Sequence, residues 1–297
     1  MIDLKSIEID DKNLFDEKIN FSYLNSEASF ANLYMWRKSS NTKYALINDS
    51  LVVFYTKSNG KMACCFPFSS TNLKNDVNII KQYFDSLDRK FIMESVTEDN
   101  ANTLKEIYKD NLIITECPNL NDYVYFSEKL INLSGKKLHA KRNHINKFKS
   151  MYEYKYQRIT SDICNKCIEK ANEWLLEKYS NADEDYIAEI TALKEVFNNY
   201  DKLNLVGAML TVNGEIIAFS VGEKLNNDTF VTHIEKADTN FHGSYTIMNN
   251  EFAKNECSAY KYINREEDMG IEGIRKAKLS YYPDKIIKKY RIEFKEK

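Results

Sequence analysis

Three segments gather residue types that can do chemistry. The first, residues 135–149, holds six Lys or Arg and no acid in fifteen residues. On a helix, Leu138, Ile145 and Phe148 fall on one face and Lys137, Lys141 and His144 on another, a surface suited to the phosphates of RNA, a nucleotide or a lipid headgroup. A solvated helix whose cations pair with acids elsewhere accounts for the run as well. Arg142-Asn143-His144 nevertheless sets three different donors side by side where solubility alone would be served by lysine. The second segment, 230–245, is an apolar alternating strand running into a polar loop that delivers Gly243-Ser244 to the start of a helix. Free N–H groups there attract anions, and glycine lets a phosphate approach the backbone; an ordinary turn and N-cap is the alternative. In the third, 260–283, a short strand stops at Asn264 and opens into Arg265-Glu266-Glu267-Asp268. A carboxylate at such a strand end can take a proton from an attacking amine or hydroxyl. Acids complementing the dipole of the following helix explain Glu267 and Asp268, and explain Asn264 and Arg265 poorly.

Elements of both kinds must hold these segments. The first half predicts a helix at 30–36, strands at 44–48, 50–55 and 61–66 with a hairpin turn at Asn59-Gly60, a helix at 75–88, a strand at 90–94, a helix at 98–108 and a strand at 122–126. In the second half one long basic helix over 130–152 leads to a strand at 154–159 and helices at 161–179 and 183–199. Strands at 204–212, 215–225 and 228–236 follow, joined at Asn213-Gly214 and Asn226-Asn227-Asp228. A helix at 245–255, a strand at 260–264, a helix at 271–279 and a closing strand near 286–294 complete the chain. Similar halves without a sequence repeat suggest an old duplication.

The 297 residues and 34.8 kDa suit two domains or one large one. Forty-two Lys plus Arg against 44 Asp plus Glu give a net charge of −2, so phosphate binding has to be local, and a DNA-binding role is not supported. Three Pro and eight Gly leave no Pro/Gly-rich linker. The ratio of 35 Lys to 7 Arg, with 32 Asn, is the bias of AT-rich codons and points to a low-GC bacterium. The start Met1-Ile2-Asp3-Leu4-Lys5 lacks a secretory signal and no apolar run is long enough to span a membrane, so a cytoplasmic location is expected, with peripheral membrane attachment left open. Cys164-Asn165-Lys166-Cys167 has CxxC spacing, yet no second pair or nearby His completes a zinc set, and Ile163, Ile168, Ala171 and Trp174 place it on an amphipathic helix. No metal site is expected.

With these segments in this order, the chain resembles a bacterial family that shares the C-terminal domain of phosphatidylglycerol lysyltransferases and is related to the Fem aminoacyltransferases. The matching residues are Leu133-Ser134-Gly135-Lys136-Lys137 through Lys141-Arg142-Asn143-His144, Ala218-Phe219-Ser220-Val221-Gly222-Glu223, His233-Ile234-Glu235-Lys236-Ala237, and Asn264-Arg265-Glu266-Glu267-Asp268 through Lys278-Leu279-Ser280-Tyr281. The resemblance implies an α/β fold with mixed sheets, as two tandem GNAT-like acyltransferase domains packed together at 1–129 and 154–297, with 130–153 as a basic connecting helix. It also implies an acyl- or aminoacyltransferase with no tightly bound cofactor, whose donor is an aminoacyl-tRNA or acyl-CoA and whose acceptor is a small amine or hydroxyl or a lipid headgroup. No membrane-spanning flippase region like that of true phosphatidylglycerol lysyltransferases is expected in this chain, which counts against a lipid acceptor. In this reading Glu266 or Glu267 takes the acceptor's proton, with Glu223 and Glu235 as alternative bases, and Tyr281 protonates the leaving group. Lys141, Arg142, His144, His233, Lys236, Gly243, Ser244, Asn264 and Arg265 bind or orient the donor. The single Gly243, where CoA-binding relatives carry several glycines, weakens the CoA alternative. A non-catalytic GNAT-fold module binding a nucleotide, peptide or RNA end is the competing reading.

Overall fold

The computed structural model describes residues 2–19, 23–57, 59–178 and 183–296. Met1 of the expected N-terminal run and the expected helix end at Tyr179 lie outside the described residues. The chain divides into two units, Met1–Asp122 with Glu267–Gly270 and Ile287–Lys297, and Tyr123–Glu266 with Ile271–Ile286.

The first unit is built on a seven-stranded sheet in the order Lys5–Ser6, Lys43–Ile47, Ser50–Thr56, Met62–Cys64, Met93–Thr97, Lys289–Phe294, Leu112–Glu116. Neighbours pair antiparallel, apart from the parallel pair Met62–Cys64 and Met93–Thr97. A parallel pair needs a crossover, and the helix Leu73–Ser86 supplies it. Val77, Ile80 and Phe84 recur along that helix at spacings of three and four, and they pack in one core with Phe54, Met93, Val96 and Ile292. At the start of Lys289–Phe294 the fully buried Lys289 ammonium lies 2.7 Å from Asp122 Oδ1 and 2.7 Å from Glu27 Oε2. Two carboxylates therefore share one cation, which keeps all three charges compatible with a dry interior.

The second unit carries a sheet in the order Lys285–Ile287, Asp122–Phe126, Tyr262–Asn264, Thr229–Ala237, Glu215–Lys224, Val206–Val212, Tyr154–Arg158. Thr229–Ala237 and Tyr262–Asn264 run parallel, with the helix Ser244–Glu256 between them in sequence. Val206–Val212 is buried in all but its first residue and Glu215–Lys224 along most of its length, as strands covered on both faces must be. Asn213 and Gly214 join them with φ of 52° and 85°, the backbone a two-residue hairpin of right-handed twist requires. The register slips between Val221 and Gly222, and a Cβ on Gly222 would lie 2.1 Å from the Val231 carbonyl oxygen and 2.6 Å from a Phe230 ring carbon. Gly222→Ala is expected to lower stability by at least ~2 kcal/mol in urea denaturation, because backbone rather than a flexible side chain must give way. An unchanged midpoint would show that the strands can part there freely.

Two mixed α/β sheets, each with a parallel pair, match the predicted fold class. Several details differ from the sequence reading. The strand expected at 90–94 is Met93–Thr97, and Asp122–Phe126, grouped with the first half, pairs in the second sheet. The closing strand near 286–294 is two strands, and Lys289–Phe294 sits inside the first sheet, where Ile292 completes the core. The long helix over 130–152 is broken into Ser127–Asn132 and His139–Met151, because Leu133 turns left-handed at φ 49° and Gly135 follows at φ 85°. Both pieces are core elements of the second unit through Leu130, Ile145 and Phe148, rather than a free-standing connector. Lys5–Ser6, Lys12–Lys18 and Leu112–Glu116 were not foreseen. Cys164 and Cys167 are buried thiols of the helix Cys164–Lys178, in keeping with packing. No helix among the described residues is long and apolar enough to cross a membrane.

Candidate active site

The parallel strands of the second unit keep register from Thr229 opposite Tyr262 to Val231 opposite Asn264 and then separate. Thr229–Ala237 runs on as a strand, whereas Tyr262–Asn264 opens into a loop, so alternate residues of one strand face the loop of the other. Two polar bridges span this gap, from His233 to Glu266 and from Glu235 to Arg265.

The loop is shaped by its own side chains. Asn264 Oδ1 accepts from the Glu266 N–H at 2.7 Å, an Asx turn that holds Glu266 at φ 58°. Lys278, 8% exposed, turns inward and donates to the carbonyls of Arg265 at 2.5 Å and Glu266 at 3.1 Å. Its own carbonyl accepts from the Tyr125 hydroxyl at 2.8 Å.

In the first bridge the buried His233 ring has Nδ1 2.7 Å from Glu266 Oε1 and Nε2 3.1 Å from Glu223 Oε1. Burial alone would lower its pKa, but the two carboxylates outweigh that and lift it to about 10. It is therefore an imidazolium at neutral pH, donating from both nitrogens. A carboxylate holding a buried imidazolium is a poor proton acceptor, which counts against Glu266 as the base.

In the second bridge Arg265 donates from Nε to Glu235 Oε1 at 3.1 Å and from Nη2 to Glu235 Oε2 at 2.5 Å. Burial would raise the Glu235 carboxyl, but Arg265, Asn249 and Lys278 reverse this and hold it below its ordinary value. Arg265 Nη1 is buried without a hydrogen-bond partner among the described residues. The Arg265 Cζ lies 5.0 Å from the Tyr281 ring centre, and the Lys141 ammonium lies 4.0 Å from the same centre. Burial lowers the Lys141 pKa to about 8, assisted by repulsion from Arg265. No carboxylate among the described residues pairs with it. Burial raises the Tyr281 phenol, so it stays protonated. Lys141, Arg265 and Tyr281, distant in sequence, thus form one cationic and aromatic cluster against the Glu235 carboxylate.

The other predicted residues have different partners. Arg142 donates from Nη1 to the Leu133 carbonyl and, at 2.8 Å, to the Gly135 carbonyl, closing the broken helix end. His144 is exposed and its Nδ1 lies 3.3 Å from His242 Nε2. Lys236 is ion-paired with Glu189. A Cβ on Gly243, at φ 87°, would come 3.0 Å from the His144 carbonyl oxygen, so the glycine makes room for a neighbouring helix. Ser244 is buried and its hydroxyl donates to the Asp238 carbonyl at 2.7 Å. Packing thus accounts for Arg142, Lys236, Gly243 and Ser244, and Asn264 acts through the turn it closes. Glu267 falls in the first unit, where its charge acts on Lys289. Sequence reasoning missed Lys278 and Asn249, whose Nδ2 donates to Glu235 Oε1 at 3.0 Å. The pair Asn249-Asn250 in the middle of a buried helix was the available signal, since interior amides need polar partners.

Many solved structures resemble the chain, three of which illustrate the range. A conserved protein of unknown function from Bacteroides thetaiotaomicron is 37% identical, with 99% of this chain and all of that one aligned at a TM-score of 0.93. The structure of L-PGS from Bacillus licheniformis aligns over 99% of this chain and 94% of that one at a TM-score of 0.67 and 14% identity. A tandem GNAT protein from the clavulanic acid biosynthesis pathway aligns over the whole of both chains at a TM-score of 0.53 and 7% identity, a likeness of fold alone. The sequence family described as phosphatidylglycerol lysyltransferase, C-terminal, matches residues 20–293. A tandem GNAT-like chain whose match to that family runs through both units and through the polar strand ends of the second belongs to the phosphatidylglycerol lysyltransferase C-terminal family.

Proposed function

We propose that the protein is an aminoacyltransferase that moves an aminoacyl group from the ester of a charged tRNA to an amine or hydroxyl acceptor. The observation that carries this reading is the buried Nη1 of Arg265, without a hydrogen-bond partner among the described residues, beside Lys141, with which no carboxylate among the described residues pairs. Donors arranged in a dry site before reaction stabilise an oxyanion more than its parent carbonyl. In the proposed sequence the acceptor attacks the ester carbonyl, and negative charge on its oxygen is met by the Arg265 N–H. Neutral Lys141 takes the acceptor's proton, the Tyr281 phenol gives one to the departing ribose oxygen as the C–O bond breaks, and the Lys141 ammonium then returns its proton to the Tyr281 phenolate. Bonds and protons balance without a covalent intermediate on the enzyme. Glu235 acts by aligning Arg265, and the His233 bridge acts by holding the loop.

The names carried by the family and by the Bacillus licheniformis structure support an aminoacyl donor and make a lipid hydroxyl one acceptor to test. An ester donor is favoured over acyl-CoA because the space at Gly243 is taken by His144 and the Ser244 hydroxyl is already engaged. The test supplies purified protein with radiolabelled aminoacyl-tRNA or radiolabelled acetyl-CoA, and offers phosphatidylglycerol vesicles and small amines as acceptors. Label is expected to pass from aminoacyl-tRNA and not from acetyl-CoA. Transfer from acetyl-CoA alone would overturn the donor, and saturable tRNA binding without turnover would favour the non-catalytic module.

A further inference from the structure

The first unit has a parallel strand pair of its own, and it too parts early, since Met62–Cys64 meets Met93–Thr97 only where Cys64 lies opposite Met93. Just past those strand ends is a cavity of about 10 Å³, lined by Asn25, Glu27, Cys65, Phe66, Phe68 and Thr97 among others. That is room for one water-sized group. Tyr23 and Phe66 line both this cavity and an open groove of about 250 Å³ that continues over Pro67, Ser70 and Leu73.

The inner cavity has the polarity of a cation's partner. Asn25 is 5% exposed, and its Nδ2 donates to Glu27 Oε2 at 3.1 Å. Its Oδ1 is buried with no hydrogen-bond partner among the described residues, so it requires a donor that the protein does not supply. Glu27, whose Oε2 lies 2.7 Å from the Lys289 ammonium, sets a carboxylate in the cavity wall. The neighbouring Cys65 thiol registers that field: burial pushes it up, and Glu27 and Glu94 push it further, against Lys289. Aromatic rings complete the wall, with Tyr23 and Phe68 edge to face at 5.3 Å, and ring faces attract cations.

The geometry points to a recognition site for a primary alkylammonium group, its –NH3+ seated against Asn25 Oδ1 and Glu27 and its carbon chain leaving over Phe66 and Tyr23 into the groove. A primary ammonium brings N–H donors in a water-sized volume. A trimethylammonium is too large for the inner cavity and has no N–H to give. The site lies wholly within the first unit and is read by binding, so it stands or falls separately from the transfer reaction proposed for the second.

The test titrates the full chain with n-butylammonium chloride, n-butanol and tetramethylammonium chloride, following backbone amide resonances. Saturable shifts at residues 23–27 and at Cys65, Phe66 and Phe68 are expected with butylammonium alone. Asn25→Ala should weaken that binding at least about tenfold, the usual cost of losing a charge-assisted hydrogen bond. Should Asn25→Ala fail to fold, Phe66→Ala, at the half-buried junction of cavity and groove, should weaken it several-fold. A parallel arm compares putrescine with Nα-acetyl-lysinamide, and the tighter ligand identifies a free diamine or a lysyl side chain as the source. Butanol binding as well as butylammonium, binding indifferent to both substitutions, or no saturation by any amine would overturn the proposal and leave the cavity to a water molecule.

Discussion

Lys141→Met is expected to reduce aminoacyl transfer by at least about 10²-fold in kcat/KM, the usual contribution of a positioned acid or base. The amine has its pKa lowered to about 8 by burial and by Arg265, so a useful fraction is neutral near neutral pH and the charged form is regained once it takes a proton. The sign follows directly. Wild-type kcat/KM should rise as pH approaches about 8 and level off above it, because the neutral amine is the active form. Lys141→Arg keeps the charge and the contact with the Tyr281 ring, but guanidinium stays protonated throughout. It should be slow at every pH and lose the rise. A Lys141→Met protein that keeps the wild-type rate and pH profile would remove Lys141 from the chemistry and leave it as a docking cation.

The second large effect is on stability. His233→Leu removes the imidazolium that Glu223 and Glu266 share, and removing one partner of a buried ionic set costs about 3–5 kcal/mol. The deficit should be greatest around neutral pH, smaller in acid, where protonation of the carboxylates relieves the repulsion, and smaller again toward pH ~10, where the wild type itself loses the proton. In the wild type the His233 pKa is raised from an unfolded value of ~6.5 to about 10, so the folded state holds the proton more tightly. Its contribution is complete below pH ~6.5 and is lost as pH rises through about 10. Urea denaturation from pH 6 to 10 should show wild-type stability falling across that window, a fall absent from His233→Leu. Combining His233→Leu with Glu223→Gln and Glu266→Gln should recover much of the loss, because two amides can sit where two carboxylates cannot. Equal stability of wild type and His233→Leu at pH 7 would mean that the bridge is solvated.

How far these features could be read from the sequence depended on the range of the interactions that make them. Asn213-Gly214 announces its hairpin because the two residues themselves carry the required positive φ. The helix Glu98–Tyr108 was placed correctly for a similar reason, since its apolar spacing lies within one element. The strand Lys289–Phe294 was found but given to the wrong sheet, because alternation marks a strand and says nothing of which edge it joins. The basic run was visible, yet its cations have separate fates that charge counting cannot distinguish. Arg142 caps a helix end, while Lys141 is carried to a ring 140 residues further on. Glu266 was rightly singled out as a strand-end carboxylate, but its engagement by His233, 33 residues away, changes its chemistry and exists only once the strands pair. Lys278 resembles any other lysine of a cationic helix until the loop above it folds.

The place of Lys289–Phe294 between Met93–Thr97 and Leu112–Glu116 has a consequence for how the chain is made. On a ribosome, the unit that begins first cannot be finished first. Asp122 emerges 167 residues before the Lys289 ammonium that neutralises it, roughly ten to thirty seconds at ordinary elongation rates. Through that interval Leu112–Glu116 has no neighbour on its inner edge, and Glu27 and Asp122 lack their shared cation. The later unit, whose strands are all synthesised by Ile287, can assemble earlier. A released chain that ends just before Lys289 should therefore present a protease-resistant second unit behind an unfinished first one, reversing the order in which translation delivers them.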